Sequence, residues 1–193
     1  MTDPKGNTVT YTHNSLGLVT SKTNARGDTT SYEYDALNRL IKTTDPLNGQ
    51  ISATHKIAGI GCLTDQVCNT TSFSYDTLNQ LTDVTDPLGK INHVSYDAMG
   101  NLTSRTDFNQ AVTAYTYNNV DKLTKVQYPG ANQVAFVYDA VGRVTQMNDY
   151  TGDTSYSYDA LGRMTSYTNG QGLSVGYAYD NGGNLTALTY PCG

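Results

Sequence analysis

An all-β chain of consecutive β-hairpin repeats is the architecture this sequence predicts, forming a curled antiparallel sheet of the solenoid or spiral-shell kind. Three observations carry that prediction. A Tyr-Asp motif returns at intervals of about 21 residues along almost the whole of a 193-residue chain. Tyrosines alternate before the motif and a Leu-Thr pair follows it, the period-two pattern of strands. Gly, Asn, Thr and Tyr recur too densely for any stretch of about a dozen residues to hold a helix.

The clearest copy is SYSYDALGRMT, residues 155 to 165. It returns as YTHNSLGLVT from 11, YEYDALNRLI from 32, FSYDTLNQLT from 73, VSYDAMGNLT from 94, YTYNNVDKLT from 115, FVYDAVGRVT from 136 and YAYDNGGNLT from 177. The anchor position holds Asn14, Asp35, Asp76, Asp97, Asn118, Asp139, Asp159 and Asp180, spaced by 20 or 21 except for one gap of 41 after Asp35. In that gap HKIAGIGCLT, residues 55 to 64, is a degenerate copy. Setting Gly61 in the glycine column places Ala58 at the anchor and divides the gap into 23 and 18. Nine hairpins are therefore expected, in a single domain over 1–193 that is a fragment of a longer array.

Each part of the repeat has a physical reading. Three places after the anchor stand Gly17, Gly100, Gly142, Gly162 and Gly183, with Asn38, Asn79 and Asp121 in the other regular copies. These residue types best tolerate positive φ. An Asp or Asn three places earlier accepts from the backbone two residues on, so the segment reads as a type I turn closed by a glycine bulge. Asp35, Asp76, Asp97, Asp139, Asp159 and Asp180 are thus turn residues. Between hairpins, Asp3-Pro4-Lys5-Gly6, Asp45-Pro46-Leu47-Asn48, Asp86-Pro87-Leu88-Gly89, Tyr128-Pro129-Gly130, Asn169-Gly170 and Tyr190-Pro191 mark second turns, because proline cannot sit inside a paired strand. About 18 strands at ~4.8 Å would make a ribbon on the order of 85 Å wide, which must twist and curl. Its end strands are candidates for self-association.

Composition narrows the function. A net charge of -5 with only 12 basic residues excludes a nucleic-acid role. No apolar run approaches the roughly 18 residues of a membrane-spanning helix, and the N-terminal residues lack the features of a signal peptide. Aromatic character rests on 16 Tyr and 3 Phe. Alternating pairs such as Tyr32 with Tyr34, Tyr156 with Tyr158 and Tyr177 with Tyr179 have two readings: strand packing with the hydroxyl in solvent, or a ligand face on which sugar rings stack.

The Tyr-Asp pair has a catalytic reading as well, since successive anchors would lie about 9 to 10 Å apart, near the carboxylate separation of inverting glycosidases. The repeats argue against it. Asn14, Asn118 and Ala58 fill the same column, and an amide replaces a carboxylate as turn acceptor but not as general base. Arg39, Arg143 and Arg163 follow the turn and are read as surface residues pairing across the hairpin. His13, His55 and His93, at one, three and four residues before their anchors, do not share a column, so no metal site is predicted and no cofactor is expected. Cys62 and Cys68 are candidates for a disulfide clipping the irregular loop, with Cys192 left over.

These residues resemble a known family, the YD-repeat or Rhs-repeat proteins. The likeness lies in Tyr-Asp-x-x-Gly-Arg-Leu/Val/Met-Thr at Tyr138 to Thr145 and Tyr158 to Thr165, and in Asp-Pro-Leu-Gly at Asp86 to Gly89. It implies a β-stranded shell of the kind found in bacterial Rhs toxins, in insecticidal toxin complexes and in teneurins, enclosing a toxic domain in the toxin members. By that resemblance the chain is a non-enzymatic scaffold that encloses or presents another domain. Its partners would be neighbouring repeats or domains of a longer bacterial protein, secreted or at the cell surface. The alternative is a carbohydrate-binding or adhesive module using the Tyr ladders, with a glycan as partner.

Overall fold

The computed structural model describes residues 8–191. The expected Asp3-Pro4-Lys5-Gly6 turn and Cys192 lie outside the described residues. The chain divides into two compact units, residues 1–93 and 94–193, with the boundary inside a strand. Among the described residues every regular element is a strand and none is a helix. The first unit holds β1 (Thr10–His13), β2 (Val19–Thr23), β3 (Thr29–Tyr34), β4 (Leu40–Thr44), β5 (Gln50–His55), β6 (Ile60–Thr64), β7 (Thr70–Tyr75), β8 (Leu81–Thr85) and the start of β9 (Ile91–Tyr96). The second holds the end of β9, then β10 (Leu102–Thr106), β11 (Val112–Tyr117), β12 (Leu123–Gln127), β13 (Gln133–Tyr138), β14 (Val144–Asp149), β15 (Gly152–Tyr158), β16 (Met164–Thr168), β17 (Ser174–Tyr179) and β18 (Leu185–Thr189). Within each unit, strands that follow one another in the chain pair antiparallel.

The alternation in the sequence sorts the side chains onto two unlike faces. In the second unit Phe136 lies opposite Met147, Tyr156 opposite Tyr167, Tyr167 opposite Val175, and Tyr177 opposite Leu188, which makes one face apolar. The rings of Tyr156 and Tyr167 meet at 5.6 Å between centroids, tilted by 52°. The other face carries Ser155 opposite Thr168, Thr168 opposite Ser174, and Ser157 opposite Ser166. In the first unit the same split puts Tyr32 and Phe73 on one face and Ser31, Ser52 and Ser72 on the other. The packing is correspondingly shallow. Val126, flanked by Tyr115 and Val134, is the one buried hydrophobic side chain among the described residues, at 6% exposure. Within each unit the strands form one layer, so stability rests on cross-strand pairs rather than on a two-layer core.

The turns explain the repeat. In the hairpin β15–β16, Asp159 N–H donates to Arg163 O at 2.9 Å and Gly162 N–H to Asp159 O at 3.0 Å. Asp159 Oδ1 accepts from the N–H groups of Leu161 and Arg163, both at 2.9 Å, and Gly162 sits at φ 85°. A carboxylate oxygen thus satisfies two donors that a five-residue loop leaves free, and the fourth position must enter the left-handed region. Asn14 makes the same pair of bonds at 3.0 Å each, and Gly17, Gly100, Gly142 and Gly183 are at φ 80°, 88°, 85° and 86°. On the returning strand the register skips Thr165, between the pairs Ser157–Ser166 and Tyr158–Met164. This bulge sets the Leu-Thr part of the motif.

Two readings are revised by these turns. First, six of the joints between hairpins use the same five-residue device as the hairpin tips. Asn24, Asp45, Asp65, Asp86, Asp107 and Asn169 each cap their own turn, with positive φ at Gly27, Asn48, Cys68, Gly89, Gln110 and Gly172. Proline is incidental to most of them, and these joints show no register skip. Second, Gly61 does not close the irregular turn and Ala58 is not its anchor. That turn runs from Lys56 to Gly59, with Lys56 N–H donating to Gly59 O at 2.7 Å, so the anchor is Lys56. Gly61 is the residue skipped between the pairs Thr54–Cys62 and His55–Ile60. It is buried there, and a Cβ would stand 2.9 Å from Thr54 Oγ1, so this bulge needs glycine for space rather than for φ.

Candidate functional site

The chemistry-bearing residues of the repeat converge on the rim of each sheet at the hairpin tips, where they tie one hairpin to the next. The tyrosine before the anchor reaches backward. Tyr158 Oη donates to Val144 O at 2.8 Å, Tyr138 Oη to Leu123 O at 2.6 Å, Tyr34 Oη to Val19 O at 2.9 Å and Tyr75 Oη to Ile60 O at 3.0 Å. The arginine after the turn reaches forward. Arg163 Nε donates to Asp159 Oδ2 at 2.6 Å while its Nη1 donates to Asp180 O at 3.0 Å. Its guanidinium lies 4.7 Å from the centroid of the Tyr179 ring, in the following hairpin. Arg143 repeats this with Asp139, the Asp159 carbonyl and the Tyr158 ring at 4.5 Å. Arg39 bonds Asp35 and the Lys56 carbonyl.

Electrostatics follow from that geometry. The Asp139 carboxyl is held below its ordinary range first by the N–H of Arg143, against an opposing loss of hydration, and then by the guanidinium. Asp35 is lowered by Arg39 N–H and side chain, Asp97 by Asn101 N–H, and Asp180 by the Asn184 side chain. At Asp159 loss of hydration is the largest influence and acts upward, but the bonds from Arg163 outweigh it. Such carboxylates are poor proton acceptors near neutral pH, and their lone pairs already face donors.

The six tyrosines read as a candidate ligand face, Tyr32, Tyr34, Tyr156, Tyr158, Tyr177 and Tyr179, are all half-buried. Tyr34 and Tyr158 turn their hydroxyls to backbone carbonyls rather than to solvent, Tyr179 lies under a guanidinium, and Tyr156 packs on Tyr167. The more exposed tyrosines are Tyr11, Tyr128, Tyr150 and Tyr190. Asp76 accepts from Leu78 and Gln80 N–H groups as its sister anchors do.

Cysteines and histidines depart from expectation. Cys62 and Cys68 are free thiols. Cys62 stands mid-strand opposite Thr54 and Ser72, while Cys68 occupies the positive-φ position of the next turn, at φ 65°. With Lys56 as anchor, His13 and His55 fall in one column after all, that of Tyr34 and Tyr158. His93 belongs elsewhere: its Nδ1 meets Asp83 Oδ1 at 2.6 Å across the paired strands β8 and β9. The forward reach of the arginines was not legible from their column alone, though their stacking partner recurs 15 or 16 residues later at Tyr158 and Tyr179.

Comparison with known proteins agrees with this reading of the repeat. The RHS Repeat family model matches residues 13–50, 75–112, 96–133, 138–174 and 165–193. Among solved structures, TcdB2-TccC3 without its hypervariable C-terminal region is similar over 95% of this chain and 15% of its own, at 14% identity and a TM-score of 0.53. A Tc holotoxin pore of Photorhabdus luminescens with a substituted TccC3 is similar over 93% of this chain and 14% of its own, at 14% identity and a TM-score of 0.55. The likeness is one of fold, and this chain spans about one seventh of the length of those chains. No curated protein matches it. With most of its length matched by the repeat model and eight of its nine hairpins built on one turn, the chain belongs to the RHS repeat family.

Proposed function

We propose that this chain is a non-enzymatic wall segment, a stretch of a longer Rhs array that encloses or presents a neighbouring domain of the same parent protein. The observation that supports it is the use of the motif itself. Tyrosine hydroxyl, carboxylate and guanidinium all serve to join hairpins, and the anchor carboxylates keep no oxygen free for chemistry at Asp35, Asp139 and Asp159. Both compact units are then parts of one array extending beyond this chain. Its partners are adjacent repeats and domains of that larger protein, which by its likeness to Tc toxin components works at or beyond the bacterial surface.

Glycan binding by the Tyr ladder has less support, because the rings it needs are half-buried and engaged with their own sheet. Limited proteolysis of the intact parent protein tests the proposal. The neighbouring domain should resist protease in the wild type and become sensitive when Tyr138, Arg143, Tyr158 and Arg163 are replaced together by alanine. Equal sensitivity in both would overturn it.

A further inference from the structure

The aromatic column on the apolar face has a gap. Three places before the anchor stand Tyr32 and Phe73 in the hairpins flanking the irregular one, Tyr11, Tyr115, Phe136, Tyr156 and Tyr177 elsewhere, and an aliphatic Val94 in one other hairpin. With Lys56 as anchor, that position in the irregular hairpin is Ala53, paired opposite Leu63. An open depression of about 230 Å³ lies there, lined by Ile41, Ile51, Ala53, His55, Ile60 and Leu63 among others. It is large enough for one ring, since an apolar cavity of roughly 150 Å³ takes up benzene.

A second observation concerns the wall. His55 stands in the column whose tyrosines donate to the preceding strand, but its Nδ1 is shielded from solvent and has no hydrogen-bond partner among the described residues. A half-turn of the imidazole about Cβ–Cγ would exchange Nδ1 with Cδ2 on a ring that lines the depression. A buried nitrogen without a partner favours any ligand that supplies the missing bond.

We infer that the gap at Ala53 is a binding site for a single phenolic ring, which completes the aromatic column and pairs its hydroxyl with His55. The ring makes the apolar contacts that Tyr32 and Phe73 make from within the chain. The hydroxyl distinguishes it from a plain hydrocarbon.

Methyl NMR titration of the full chain with p-cresol, toluene and the peptide Gly-Tyr-Gly tests this. p-Cresol should shift the methyl signals of Ile51, Ile60 and Leu63 with saturation on the order of millimolar, and toluene should bind about 5-fold more weakly. Ala53→Tyr should abolish the shifts and raise the urea midpoint by restoring the column, and His55→Phe should bring p-cresol down to the toluene level. Binding of the peptide as well as p-cresol assigns the ring to a tyrosyl side chain; binding of p-cresol without the peptide assigns it to a free phenol. No saturable shift with p-cresol or the peptide, equal binding of toluene, or a lower urea midpoint for Ala53→Tyr would each overturn the inference.

Discussion

The hairpins β15–β16 and β5–β6 have the same strand pairing and opposite tip chemistry. In β15–β16 a five-residue turn is capped by Asp159, tied backward by Tyr158 and forward by Arg163. In β5–β6 a turn one residue shorter has a single backbone bond, a lysine where the acceptor should be and a histidine in place of the tyrosine. One tie persists in altered form, since Lys56 Nζ donates to Phe73 O at 2.8 Å. Register survives in both, from Ser52–Thr64 to His55–Ile60 as from Ser155–Thr168 to Tyr158–Met164. Strand pairing therefore follows from the alternation of side chains, whereas the Tyr-Asp-Gly-Arg set adds connection between hairpins and is separable from it.

The sharpest break of this contrast is at the positive-φ position. Gly142→Val should cost about 2 to 3 kcal/mol in urea unfolding, because valine is strained at φ 85° and its Cβ presses on the Lys122 side chain. Gly162→Val, where the nearest atom to a new Cβ is Arg143 Nη1 at 3.5 Å, should cost less and isolate the backbone contribution. Next come the ties. Arg163→Ala should cost about 1 to 2 kcal/mol through loss of the Asp180 carbonyl bond and the Tyr179 ring, while Arg26→Ala, at a side chain 85% exposed, should cost within about 0.5 kcal/mol. Tyr158→Phe should cost about 1 kcal/mol, and Tyr177→Phe, whose hydroxyl has no partner among the described residues, close to nothing.

Acid sharpens the comparison further. Asp35, Asp97, Asp139, Asp159 and Asp180 have folded pKa values below the ordinary 3.8. Their contribution is present above the unfolded value and is lost as pH falls through the folded one, so stability should decline below about pH 4. Replacing Asp159 by Asn keeps one acceptor oxygen and should lower the urea midpoint at pH 7 by about half as much as Ala does, while flattening the acid limb. A midpoint for Asn no better than for Ala would remove the turn-cap explanation.

Much of this was legible in the sequence because the repeat states its own rules eight times. The hairpin tips, the strand alternation and the positive-φ residues follow from Asp and Gly columns that local backbone chemistry dictates. What misled was identity overriding spacing. Gly61 looked like the turn glycine, yet Lys56 divides the gap of 41 into 21 and 20, matching the neighbouring repeats. The joints hid for a related reason: proline flags Asp45 and Asp86, but Asn24, Asp65 and Asp107 carry the same cap without it. The Arg and Tyr ties were out of reach, since they depend on how far one hairpin is offset from the next, and no single column encodes that offset.

The central claim is that the motif couples neighbouring hairpins, and a double-mutant cycle between Arg143 and Tyr158 measures this most directly. Urea unfolding of the wild type, Arg143→Ala, Tyr158→Leu and the double variant should give a coupling energy of about 0.5 to 1 kcal/mol across the joint. Additivity within about 0.3 kcal/mol would contradict the account and return both residues to independent roles in their own hairpins.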